Sequence, residues 1–109
     1  MDISEHRHYK IIFTDDAIIE MEHIYNYISN NLHAINAAKR LMIKVEKYTK
    51  ILEKMPRAHK IIKSYPELEL EYRRIIINNY VIIYTIIENS KLVFIVHMYY
   101  GRSDYLSKL

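Results

Sequence analysis

His97, Tyr99, Tyr100, Arg102 and Tyr105 fall in one short stretch near the C-terminus. An imidazole exchanges a proton near neutral pH. A guanidinium can hold a phosphate through two parallel bonds. A phenol ring can stack on an exposed base. Upstream, Arg73 and Arg74 are adjacent. On a strand they point to opposite faces, so only one can enter a cleft shared with its neighbours. Each group also has a plainer reading. The arginines can be a solvated strand face and an ion pair, and His97 a structural histidine bonding a backbone carbonyl. Tyr99 and Tyr100 can cover the sheet edge, and Arg102 can pair locally with Asp104. The absence of Cys removes disulfides, thiol nucleophiles and Cys-bound zinc. His6 and His8, in an N-terminal tail, do not make a metal site. No cofactor or metal is expected.

The elements that must position these groups are legible in the hydrophobic pattern. Residues 9–13 are a short, mostly apolar run and predict a first strand. Thr14 can cap a helix whose first turn carries Asp15 and Asp16, at the end where carboxylates are favoured. Ile18, Met21, Tyr25, Ile28 and Leu32 are spaced by three and four, which predicts one buried face. Asn30-Asn31 marks its end. A second helix is expected over residues 36–54, with Ala38, Leu41, Met42, Val45, Tyr48, Leu52 and Met55 buried and its lysines mostly turned out. Pro56 ends it, because the residue before a proline avoids the helical conformation. So short a connection predicts an antiparallel hairpin.

From residue 61 onward Ile, Val, Tyr and Phe dominate, and all favour strands. Strands are expected at residues 61–65, 71–77, 80–87 and 91–99, with turns at Asn78-Asn79 and Glu88-Asn89-Ser90. The near-continuous apolar run at 80–87 predicts a central strand covered on both faces, or covered on one and used as an interface on the other. The expected fold is α+β: an N-terminal strand and an α-helical hairpin packed on a 3–4-stranded antiparallel sheet.

The 109 residues suffice for one domain, expected over residues 9–109 after a poorly ordered tail at 1–8. Half the residues are hydrophobic, and only one Gly and two Pro occur, which suits regular structure rather than disorder. No apolar run reaches membrane-spanning length, and the N-terminus lacks the apolar core of a secretory signal, so a cytoplasmic protein without membrane association is expected. The net charge of +3 suits nucleic acid or an acidic partner without choosing between them.

Several segments, in order, resemble the RelE/ParE family of toxins. Tyr9-Lys10-Ile11-Ile12-Phe13-Thr14, with Ala17 three positions on, is similar to that family's first strand and helix start. Ile24-Tyr25-Asn26-Tyr27-Ile28 resembles its mid-helix aromatic stretch, and Ala37-Ala38-Lys39-Arg40-Leu41 the start of its second helix. Leu52-Glu53-Lys54-Met55-Pro56 resembles the helix exit. Tyr72-Arg73-Arg74-Ile75 and Asn79-Tyr80-Val81-Ile82-Ile83-Tyr84 resemble the central hairpin. His97 with Gly101-Arg102-Ser103-Asp104 resembles the closing segment. The likeness covers about residues 9–106.

The resemblance implies a growth-arresting toxin of a type II toxin–antitoxin pair, held inactive by a cognate antitoxin protein. One branch of the family cleaves mRNA in the ribosomal A site; another inhibits DNA gyrase. Metal-free RNA cleavage needs a base for the ribose hydroxyl, cations for the phosphate and an acid for the leaving oxygen. The resemblance makes Arg73, Arg74, His97, Tyr99 and Arg102 the candidates for those roles. In the best-known mRNA-cleaving members an Arg follows the Tyr that opens the second hairpin strand; this chain has Tyr80-Val81. Losing such a cation typically lowers a rate by roughly 10²–10³. That departure, with a tail more like the ParE type, tips the expectation toward gyrase over ribosome-bound mRNA. A non-toxic, partner-binding scaffold of the same fold is the third reading.

Overall fold

The computed structural model describes residues 8–109, so the tail expected at 1–8 lies outside it except for exposed His8. Strand β1 (Lys10–Phe13) leads into helix α1 (Asp15–Asn26). Thr14 sits in extended conformation, and its hydroxyl oxygen accepts from the Ala17 N–H at 3.2 Å, which fixes the helix start. A π-helical turn (Tyr27–Asn31) and left-handed His33 reverse the chain into helix α2 (Ile35–Ile51). Strands β2 (Ile61–Tyr65), β3 (Leu70–Ile77), β4 (Tyr80–Ile87) and β5 (Leu92–Tyr100) follow. Asn78 takes φ 54° in the β3–β4 turn, a conformation its short polar side chain tolerates. Among the described residues no helix is long and apolar enough to cross a membrane.

The five strands form one sheet in the order β1-β5-β4-β3-β2. β2 to β5 are antiparallel, within the 3–4 antiparallel strands expected. β1 joins them parallel to β5, with Lys10 opposite Leu92 and Phe13 opposite Ile95. The helical hairpin covers one sheet face. Ala17, Ile28, Ala38, Leu41, Val45 and Leu52 pack there against Ile75, Ile77, Ile82, Tyr84, Val93, Ile95 and Met98.

β4 lies at the centre and is buried on both sides, one of the two arrangements its apolar run predicted. Ile82 and Tyr84 face the helices. Val81 and Ile83 face a second, smaller cluster closed by Tyr105 from the C-terminal tail.

Three positions expected in the core are exposed: Ile18 at 43%, Leu32 at 54% and Met55 at 57%. Helix α1 turns Ala17, Met21, Ile24 and Tyr25 inward, and the π-helical turn adds Ile28. The small Ala17 lets the helix start approach β5, where the Thr14 N–H donates to the Ile95 carbonyl at 3.0 Å. Leu32 lies beyond the π-helical turn, and Met55 beyond the end of α2, which stops earlier than residue 54.

Candidate functional site

The sheet face away from the helices collects most of the reactive side chains. Register sets Arg74 opposite Ile83 and Ile83 opposite His97, in a row across β3, β4 and β5. Two strand spacings put the Arg74 and His97 backbones roughly 10 Å apart. Val81 stands opposite Tyr99 in the neighbouring row. A bulge opposite Ile83 and Tyr84 leaves Val96 without a partner on β4, and bulges of this kind re-aim nearby side chains.

His97 lies against α1. Its Nδ1 is 3.1 Å from both carboxylate oxygens of Glu20, which also accepts the Met98 N–H at 3.1 Å. An ionised carboxylate only accepts, so Nδ1 carries the hydrogen and Nε2 is left as an acceptor when the ring is neutral. The partner is therefore a carboxylate rather than the backbone carbonyl expected of a structural histidine. The imidazole stacks on Tyr99 at 4.8 Å between centroids, with 18° between planes. Burial, reinforced by the negative charges of Glu20 and Asp16, pushes the Tyr99 phenol up to about 12. It is a poor proton donor at neutral pH.

Arg74 is committed to the tail. Its Nη1 donates to the Tyr105 hydroxyl at 2.8 Å. Tyr105 is 7% exposed and lies over Val81 and Ile83, with its ring 6.5 Å from that of Tyr99. The tail is further held by Lys108 over the Tyr99 ring at 4.7 Å and by the Tyr65 hydroxyl donating to the Leu109 carbonyl. The phenol of Tyr105 thus fills the space between the Arg74 guanidinium and the Tyr99 ring.

Arg73 is not brought to this cluster. It points to the helix side, 9% exposed, and Nη1 donates to the carbonyls of His59 at 2.7 Å and Arg57 at 3.4 Å. Glu71 is 3.7 Å from Nη2, and the buried Nε has no partner among the described residues. The side chain ties β3 to the loop before β2. Only one of the two adjacent arginines enters the shared face, as strand alternation requires.

Arg102 is exposed in the turn after β5, and among the described residues it forms no ion pair with Asp104. The Ser103 N–H and hydroxyl, both donating to the Tyr100 carbonyl, hold that turn instead. At Gly101 a Cβ would crowd the Asn79 carbonyl oxygen at 3.0 Å, so the turn packs closely against the start of β4. Tyr100 is 45% exposed and faces a groove beside the π-helical turn, rather than the cluster on the open face.

Two features were not singled out in the sequence. Glu20 follows Ala17 by one helical turn, so a carboxylate beside the buried seam was the available signal. The second is a clasp at the β4–β5 turn, where Glu88 accepts from Tyr9 at 2.7 Å, from Arg57 at 2.8 Å and from Lys91. These bonds, that of Lys91 first, hold the Glu88 carboxyl at about 2. It joins β1, the α2–β2 loop and the sheet, away from the reactive row.

The arrangement offers a histidine oriented by a carboxylate, one guanidinium already engaged, and apolar and phenolic surface under a tail. Where the mRNA-cleaving pattern places an arginine, Val81 is 3% exposed beneath Tyr105.

The family described as "ParE toxin of type II toxin-antitoxin system, parDE" matches residues 11–105. A comparison with curated proteins found no sequence match. Several solved structures are similar in fold, three of them as follows. The chromosomal ParDE system of P. aeruginosa aligns with TM-score 0.68 and 12% identity, over 86% of this chain and 97% of that one. The RelBE2 toxin–antitoxin complex of Mycobacterium tuberculosis aligns with TM-score 0.57 and 19% identity, over 85% and 91%. The archaeal RelE–RelB complex of Pyrococcus horikoshii aligns with TM-score 0.55 and 17% identity, over 87% and 98%.

Proposed function

The chain belongs to the ParE toxin family of type II toxin–antitoxin systems, and from that premise we propose that it arrests growth by binding DNA gyrase, without chemistry of its own, until a cognate antitoxin neutralises it. One observation carries the choice of a binding mechanism. The cations that phosphodiester cleavage would use are not assembled: Arg73 is buried on the far face, Arg74 is held by Tyr105, and Val81, where the mRNA-cleaving pattern has an arginine, is covered. Cleavage draws most of its acceleration from charges already aimed at the phosphate, and this face would have to shed its tail first. The Tyr99 phenol, held at about 12, adds little as an acid.

An antitoxin partner is supported by the family and by an apolar groove along the helical hairpin. Phe13, Ile18, Met21, Tyr25 and Met42 line it, and an amphipathic helix laid there would bury them. The cytoplasm is where both gyrase and such a partner would meet the chain.

A second reading rests on one feature. Glu20 fixes the His97 tautomer in the manner expected of a general base, which favours ribosome-dependent mRNA cleavage. Inducing the chain alone in a bacterial host, then mapping transcript 5′ ends and plasmid supercoiling in the same cells, separates the two. The gyrase reading expects arrest with relaxed plasmid and unchanged 5′ ends. New 5′ ends with normal supercoiling would replace it with the nuclease reading, and normal growth of cells holding soluble protein would refute both.

A further inference from the structure

Helix α2 gathers the molecule's excess positive charge. It holds five cations and one carboxylate, a net +4, where the whole chain is +3, so the rest of the molecule is net negative. Lys39, Arg40, Lys44, Lys47 and Lys50 are all exposed. Lys44 donates to the Asn78 side-chain oxygen at 3.0 Å. Among the described residues the other four make no side-chain hydrogen bond or ion pair, and Glu46, one turn before Lys50, pairs with none of them. Arg40, Lys44, Lys47 and Lys50 succeed one another at spacings of three and four, which sets like charges side by side and weakens the helix. A face that serves solubility alone mixes both signs. Ile43, 64% exposed, stands at the crest, with Lys39 and Lys50 on one flank and Arg40, Lys44 and Lys47 on the other.

We propose that this face of α2 docks on double-stranded DNA, with Lys39 and Lys50 reaching phosphates of one strand, Arg40 and Lys47 those of the other, and Ile43 facing the groove between them. The face is a property of α2 alone, so the inference does not rest on the gyrase reading. The single sign of the charges selects a polyanion. Composition selects nucleic acid over protein. Protein interfaces are depleted in Lys, whereas DNA-binding surfaces are strongly positive, and four of the five cations here are lysines. Ile35, Ile43 and Ile51 lie eight residues apart, about 12 Å along the helix, with cations between them, so they form no continuous apolar patch. Shape selects the DNA duplex. A helix about 10–12 Å across suits the major groove of B-DNA, about 12 Å wide, whereas the major groove of an RNA duplex is too narrow and deep for side chains to read. Tyr48, the one aromatic residue of α2, packs against the core, so a single strand finds no ring to stack on.

The test uses the full chain and fluorescein-labelled probes read by anisotropy. They are a DNA duplex of about 20 base pairs, roughly two helical turns, and an RNA duplex and a single DNA strand of equal length. Four phosphate contacts predict that affinity for the DNA duplex falls about a hundredfold between about 50 and 200 mM salt. The double variant Arg40→Gln, Lys47→Gln loses two of them. It should bind more weakly at about 50 mM salt and lose only about tenfold over the same range. Gln keeps the helix propensity and relieves like-charge neighbours, so its Tm should not fall below the parent's. Lys108→Gln removes a cation on the other face of the sheet, over Tyr99, and should bind as the parent does. No binding of the DNA duplex at about 50 mM salt overturns the proposal. So does tighter binding of the RNA duplex or the single strand, the same salt dependence in parent and double variant, or a comparable loss from Lys108→Gln.

Discussion

Tyr84 gives a prediction whose magnitude follows from geometry. It is fully buried at the centre of the sheet, and its hydroxyl donates to the Pro56 carbonyl at 2.6 Å. Burial pushes the phenol from 10.0 up to about 12, with the Arg73 charge opposing the rise. Because the folded value exceeds the unfolded one, the fold favours the neutral phenol. That stabilisation is complete below pH 10 and is lost as pH rises through 12. The gap corresponds to about 2.7 kcal/mol. Tyr84→Phe removes this titration but leaves the Pro56 carbonyl without its donor, at a cost of about 1–3 kcal/mol near neutrality. The variant should therefore be weaker than the parent at pH 7, by roughly 4 °C in Tm for each kcal/mol. The difference should shrink, and can change sign, as pH rises past 11. Urea denaturation followed by circular dichroism at pH 7, 9, 11 and 12 measures it. The remaining tyrosines, including Tyr99, are common to both proteins and cancel in the difference. Parallel loss of stability by parent and variant between pH 10 and 12 would refute the reasoning.

Three further outcomes follow. Arg73→Met strips the His59 and Arg57 carbonyls of their donor, so it should destabilise by roughly 1–3 kcal/mol in denaturant titration, yet leave growth arrest intact at a permissive temperature. Val81→Arg, which introduces the cation of the mRNA-cleaving pattern, should not create a nuclease: it places a charge under Tyr105, with a loss of about 3 kcal/mol and proteolytic release of the tail as its signs. Glu88→Gln should flatten the acid side of the Tm–pH curve, because the carboxylate's contribution is present above its ordinary value of 4.5 and is lost as pH falls toward about 2; calorimetry across that range checks it.

What the sequence carried was local chemistry. Thr14 and the two aspartates after it marked a helix start, Asn78-Asn79 a tight turn, and the near-continuous apolar run of β4 a central strand, either buried on both faces or buried on one and used as an interface on the other. What it left open was set by partners distant along the chain. Helix α1 is apolar around much of its circumference, so spacing alone fits a seam through Ile18 as well as one through Ala17. Close approach to β5 decided for Ala17. The alternation in β1 carries no direction, and its parallel pairing with β5 follows from how the helical hairpin crosses the sheet. Arg73 and Arg74 could be separated by alternation, but their environments could not: the His59 carbonyl that holds one and the Tyr105 hydroxyl that holds the other are well removed along the chain. The same is true of Glu20, which meets His97 only when α1 lies against β5.

The central claim is that the chain acts by binding and not by cleavage. Its most direct test is supercoiling by purified DNA gyrase, titrated with the purified chain and with His97→Ala. Inhibition by both proteins at similar concentration is the predicted result. Unchanged supercoiling at a large excess of the chain, together with ribosome-bound mRNA cut by the parent and spared by His97→Ala, would contradict it.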